Sequence, residues 1–79
     1  MITSDQIRAA RALLRWSGKD LAERTSLGFS TLMRLEVLEG VPGAQAKTLE
    51  TIQKAFEEAG IEFIGTPDEG AGVRWRVNR

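Results

Sequence analysis

The chain has 79 residues, with 11 Lys and Arg against 11 Asp and Glu, and it contains neither cysteine nor histidine. Disulfides, thiolate or imidazole metal sites and nucleophile–histidine pairs are therefore excluded, and the length bounds the chain to one small domain of a size that often leans on oligomerisation. No apolar run approaches the ~20 residues that span a bilayer, and the N-terminus lacks the basic-then-apolar pattern of a signal peptide, so a cytoplasmic protein with no membrane partner is expected.

Ser4 reads as the N-cap of a first helix, with Asp5 favourable in its first turn. That helix is expected to reach about Arg15, with Ile7, Ala10 and Leu14 at helical spacing on its buried stripe. Trp16 lies in the link that follows and is read as a core plug rather than a ligand-binding aromatic. Ser17 caps a second helix, and Asp20 three residues later makes a short capping box. Leu21 and Ala22 give this helix its apolar side, and Leu27 plugs the turn after it. A third helix is predicted from about Gly28 to Leu38, ended by Gly40, Pro42 and Gly43. Leu32 and Leu35 anchor one face of it, while Phe29, Ser30, Met33 and Arg34 point elsewhere. A helix held by two or three anchors with its other face free is what a DNA-reading helix-turn-helix needs.

A fourth helix is predicted over residues 44–59, with Leu49, Ile52, Phe56 and Ala59 on one stripe and Gly60 as its C′ residue. The period then changes. Residues 61–64 read as a short strand, 65–72 as a turn region, and 73–77 as a strand alternating apolar with basic. The result is a C-terminal β-hairpin. Ile61 and Phe63 on one strand match an apolar face of Val73, Trp75 and Val77 on the other. An isolated hairpin is marginal in water, so this face either joins a second copy or caps the chain's own first and fourth helices.

Charge is unevenly spread. Residues 1–34 carry six basic side chains (Arg8, Arg11, Arg15, Lys19, Arg24, Arg34) and three acids, whereas residues 35–70 carry two basic side chains and eight acids. The segment with the two short helices is thus net basic, and a local patch attracts phosphate even when the total is zero. The start of the second helix, Ser17, Gly18 and Lys19, combines helix-terminal amides with a lysine, a suitable phosphate grip. Lys47, with Thr48 beside it near the start of the fourth helix, offers a grip on the other flank.

The run Leu21-Ala22-Glu23, followed by Ser30-Thr31-Leu32 and Arg34-Leu35-Glu36, resembles the Cro/C1-type (XRE) helix-turn-helix family over roughly residues 4–60, and the upstream 11–17 segment resembles the end of that family's first helix. The resemblance implies a mostly α, four-helix, lambda-repressor-like domain over 1–60, and the short C-terminal β-hairpin 61–79 beyond it is the natural dimerisation element. The resemblance also implies that Phe29, Ser30, Met33 and Arg34 face base edges, and that Thr31 joins Ser17, Gly18, Lys19 and Lys47 on phosphate. Arg34 is the leading base reader, because its fork donates to guanine O6 and N7, with a phosphate contact as the alternative. Phe29 either touches a thymine methyl or folds back on its own helix. The resemblance further implies a buried ion pair between Arg11 and Glu36. Two residues depart from the family pattern: Ser26 stands where a glycine makes the turn, and Gly28 where Ser or Thr caps the third helix.

The function expected is a sequence-specific, double-stranded-DNA-binding regulator, a repressor acting as a homodimer on a pseudo-palindromic operator. Rival readings are an antitoxin binding DNA and a toxin, and an anti-activator that binds protein alone. No cofactor, metal or enzymatic activity is expected, since the sequence shows no metal cluster, Gly-rich phosphate loop or nucleophile–base pair.

Overall fold

The computed structural model describes residues 1–38, 43 and 46–76; Gly40, Pro42, Ala44 and Val77, each given a role above, lie outside these. Four helices precede a two-stranded antiparallel hairpin: α1 (Ser4–Leu14), α2 (Gly18–Thr25), α3 (Phe29–Glu36), α4 (Ala46–Glu58), β1 (Ile61–Thr66) and β2 (Glu69–Trp75). Among the described residues no helix is long and apolar enough to cross a membrane.

The cap of α1 differs from the expectation. Thr3, not Ser4, is the N-cap: its hydroxyl accepts the Gln6 N–H at 3.1 Å, and the Gln6 side-chain oxygen accepts the Thr3 N–H at 2.8 Å. This reciprocal box satisfies two orphan amides at once, which Ser4 followed by Ile7 cannot do. Ser4 becomes the first helical residue, fully buried, and its hydroxyl donates to the Leu35 carbonyl at 2.6 Å. The helix closes on Arg15 in the left-handed region (φ 58°).

α2 carries the expected box. The Ser17 hydroxyl accepts the Asp20 N–H at 3.1 Å, and the Asp20 carboxylate accepts the Ser17 N–H at 2.8 Å. The turn to α3 departs from helix through Ser26, at φ 60° and ψ 25°. Thr25 steadies it by donating to the Leu21 carbonyl at 2.8 Å and accepting the Leu27 N–H at 3.3 Å. Gly28 then caps α3 with no side-chain bond. α3 ends at Glu36, two residues short of the expected Leu38.

Ile2, Ile7, Ala10, Leu21, Leu32, Leu35, Ile52, Phe56 and Ile61 form one core, with Leu14, Trp16, Phe63 and Val73 packed against it. Trp16 stacks on Phe56 with ring centroids 5.5 Å apart, while the Arg24 guanidinium lies 4.6 Å from its ring centre. The core-plug reading of Trp16 therefore describes one side of the ring, and a cation covers part of the rest.

The hairpin pairs Ile61 with Trp75, Glu62 with Arg74, Phe63 with Val73 and Ile64 with Gly72. Its strands run through the segment read as a turn, leaving Pro67 and Asp68 to reverse the chain, with the Thr66 hydroxyl accepting the Glu69 N–H at 3.1 Å. Gly65 makes this possible. At φ 76° it lies so close to β2 that a Cβ there would stand 2.2 Å from the Gly70 carbonyl oxygen.

The apolar face of the hairpin is used within the chain. Ile61 is 0% exposed, and Phe63 and Val73 pack on the same core. Of the described residues proposed for a dimer face, Trp75 alone keeps half of its surface, at 50% exposed. Ile61, Phe63 and Val73 thus pack as in the reading in which the hairpin caps the chain's own first and fourth helices. Gln6 completes the closure: its amide donates to the carbonyls of Gly72 at 2.9 Å and Ile64 at 3.2 Å, one on each strand.

Candidate nucleic-acid interface

α3 is anchored on one side by Leu32, Leu35 and Glu36, all buried. Its opposite side presents Ser30 and Arg34, four residues apart and both exposed. Phe29 is 46% exposed, and Met33 and Thr31 are half-buried at the margins.

Three side chains of α1 fix where α3 ends. Ser4 donates to the Leu35 carbonyl, Arg8 to the Glu36 carbonyl, and Arg11 to the Glu36 carboxylate. They lie at i, i+4 and i+7, one stripe of α1. The last carbonyls of α3 need partners outside the helix, and α1 supplies two of them. The pair implied by the family resemblance is present and bidentate: Arg11 Nε to Glu36 Oε2 is 2.8 Å, and Arg11 Nη2 to Glu36 Oε1 is 2.7 Å. Arg11 also donates to the Trp16 carbonyl at 2.9 Å. The hydrogen bond to Glu36 holds the Arg11 pKa above its usual value, against the opposing effect of burial. Ser4 and Arg8 escaped sequence reasoning, because their partners lie 31 and 28 residues away and leave no local pattern.

The N-terminus of α2 and the free side of α3 meet at Gly18. A Cβ on Gly18 would stand 2.6 Å from Met33 Cε and 2.7 Å from Phe29 Cε1, so these two side chains lie directly across the glycine. The structure thus joins part of the expected phosphate grip to part of the expected base-reading set. It also resolves the orientation of Phe29: the ring leans across to α2 rather than back along its own helix.

Ser17 and Lys19 are exposed beside this contact. Among the described residues, Lys19, Arg34 and Lys47 take part in no ion pair. The Asp20 carboxylate shares the α2 N-terminus. The Ser17 amide, and then the Ser17 hydroxyl, lower its pKa below the usual carboxylate value. An anion docking here would meet the amides of Gly18 and Lys19 and the Lys19 ammonium, but also a carboxylate that opposes it. Lys47 is exposed in the first turn of α4, where its carbonyl accepts the Thr51 hydroxyl at 2.9 Å.

Among the described residues no cluster of three or more His, Cys, Asp or Glu side chains could hold a metal ion. No family model matches the chain, and no curated protein shows significant similarity to it.

Proposed function

We propose that this protein is a sequence-specific DNA-binding regulator of the Cro/C1-type helix-turn-helix class, a repressor that acts as a homodimer on a pseudo-palindromic operator. In this reading α2 and α3 are the helix-turn-helix, and α3 enters the major groove. The observation that carries it is the state of α3. Its C-terminal end is pinned to α1 and its inner side is buried, while Ser30 and Arg34 are exposed and Phe29 and Met33 reach the N-terminus of α2. A reading helix needs such rigid support, since contacts to base edges are short and directional. Arg34 reads guanine through its fork, Ser30 donates or accepts, and Phe29 with Met33 contacts thymine methyls. Ser17, Gly18, Lys19 and Thr31 grip phosphate near them, with Lys47 on the α4 flank.

A binding-site selection from random duplex DNA tests this. The expected outcome is an enriched motif with two half-sites about one helical turn apart, bound with a steep salt dependence. Recovery of no motif, with no salt-sensitive affinity for any duplex, would refute it. One observation favours a protein-binding rival. The Phe29–Met33 surface over Gly18 is apolar enough to serve a protein partner, as in the anti-activator reading, and failure to bind DNA would transfer the role there.

A further inference from the structure

The free side of α3 is two rows wide. Ser30 and Arg34 stand four residues apart on one row, and Phe29 and Met33 stand four apart on the row beside it. The first row can donate hydrogen bonds to base edges. The second has no donor to offer, and its thioether is at most a weak acceptor.

The second row is also held in place. The Met33 thioether and the edge of the Phe29 ring converge on Gly18. A Cβ there would stand 2.6 Å from Met33 Cε, 2.9 Å from Met33 Sδ and 2.7 Å from Phe29 Cε1. The first turn of α2 therefore supports both side chains, yet Phe29 stays 46% exposed and Met33 half-buried. The result is a small apolar shelf, and cations bracket it. Lys19 follows Gly18 in the chain and Arg34 follows Met33; both are exposed, and neither takes part in an ion pair among the described residues. Asp20 sits on the same turn of α2, its carboxylate accepting the Ser17 N–H. An apolar spot between two unpaired cations suits a polyanion that carries an apolar group on its surface.

The major groove offers such a shelf one partner. Base edges there present donors and acceptors, and the single apolar group is the C5 methyl of thymine. Set against any polar edge, the phenyl ring and the thioether would strip water from groups they cannot bond. We propose that the Phe29–Met33 shelf reads a C5 methyl group rather than a particular base, so that 5-methylcytosine substitutes for thymine at that position and cytosine methylation there raises affinity. This rests on the DNA reading above and adds a chemical switch to it. Thymine and 5-methylcytosine carry the same methyl at the same place in the groove. They differ in the adjoining exocyclic group, an acceptor in one and a donor in the other, which the shelf bonds in neither case. Burial of one methyl corresponds to about fourfold in affinity for each half-site.

The test starts from the duplex enriched by random-site selection. Each thymine is replaced in turn by deoxyuridine, which removes the methyl and nothing else, and the series is titrated by fluorescence anisotropy. One thymine position per half-site is expected to lose about fourfold. A cytosine–guanine pair at that position should bind more weakly, and methylating the cytosine at C5 should recover about fourfold. Phe29→Ala and Met33→Ala, each checked for fold by circular dichroism, should narrow the gap between thymine and deoxyuridine duplexes. That coupling separates a contact with the shelf from an effect of the methyl on DNA shape. Indifference to deoxyuridine at every position, no gain on methylating cytosine, or a methyl effect unchanged in both variants would each overturn the proposal while leaving DNA binding intact. Absence of affinity for every duplex would instead overturn the DNA reading, and the methyl reading with it.

Discussion

Removing Arg11 should destabilise the protein more than removing Glu36, although the two form one ion pair. Glu36 is 4% exposed and both of its carboxylate oxygens bond Arg11. Arg11→Ala strands that carboxylate in the core without a partner, at a cost of about 3–5 kcal/mol. The Arg11 side chain keeps 23% of its surface and a second acceptor, the Trp16 carbonyl. Glu36→Ala therefore leaves a cation that water still reaches, and should cost roughly 1–3 kcal/mol. A domain of 79 residues has a total stability of about 4–12 kcal/mol, so Arg11→Ala brings it near unfolding. The matching fall in thermal midpoint is about 12 °C or more. Arg11→Met combined with Glu36→Leu removes both charges while keeping volume, and should recover most of the loss. Urea melts of the two alanine variants, their double, and the apolar pair provide the assay. Additive losses, or a milder effect from Arg11→Ala than from Glu36→Ala, would refute the reasoning.

Ser26 adopts φ 60°, so Ser26→Gly should stabilise by about 1 kcal/mol in the same melts, and an unchanged midpoint would count against strain there. Gly18→Ala crowds Phe29 and Met33 at their flexible ends and improves helix propensity. Its thermal midpoint should hold within a few degrees while the DNA motif recovered by selection changes. Arg34→Ala should cost about 1–3 kcal/mol of specific affinity and relax preference at one base pair per half-site, whereas Lys19→Ala should weaken all duplexes alike and flatten the salt slope by about one; fluorescence anisotropy titrations separate the two. The Asp20 pKa is depressed below 3.8 in the folded state, so its contribution is present above that value and is lost as pH falls through the lower folded one. The thermal-midpoint gap between the parent and Asp20→Ala should accordingly close with acidification below about pH 4, and a gap that persists in acid would contradict the cap's dependence on charge.

Sequence reasoning succeeded where a residue's partner is near in the chain. Ser17 with Asp20 and the stripe of Ile7 and Ala10 follow from spacing and residue chemistry, whereas the left-handed turn at Ser26 was legible only as a position where the resembling family has glycine. It stumbled at α1 because Thr3 and Ser4 both suit a cap, and the deciding signal was Gln6 at the third helical position. The hairpin turn was drawn too wide because Gly65, Gly70 and Gly72 weigh against strand by propensity, yet Gly65 is what lets the strands close tightly. The Arg11–Glu36 pair was legible only through the family resemblance. The grips of Ser4, Arg8 and Gln6, and the contact of Gly18 with Phe29 and Met33, depend on segments brought together by the fold.

The bonds from Gln6 to Ile64 and Gly72 have a bearing on how the protein is made. They span 58 and 66 residues, so the first turn of α1 is tied to both strands of the hairpin. As the polypeptide leaves the ribosome, α1 emerges with its amide unanswered and with the place of Ile61 in the core still vacant. Nothing can settle that account until Ile64 and Gly72 have been synthesised. Folding is therefore expected to wait for β1 and β2, and a nascent chain halted at Gly60 should remain open to protease.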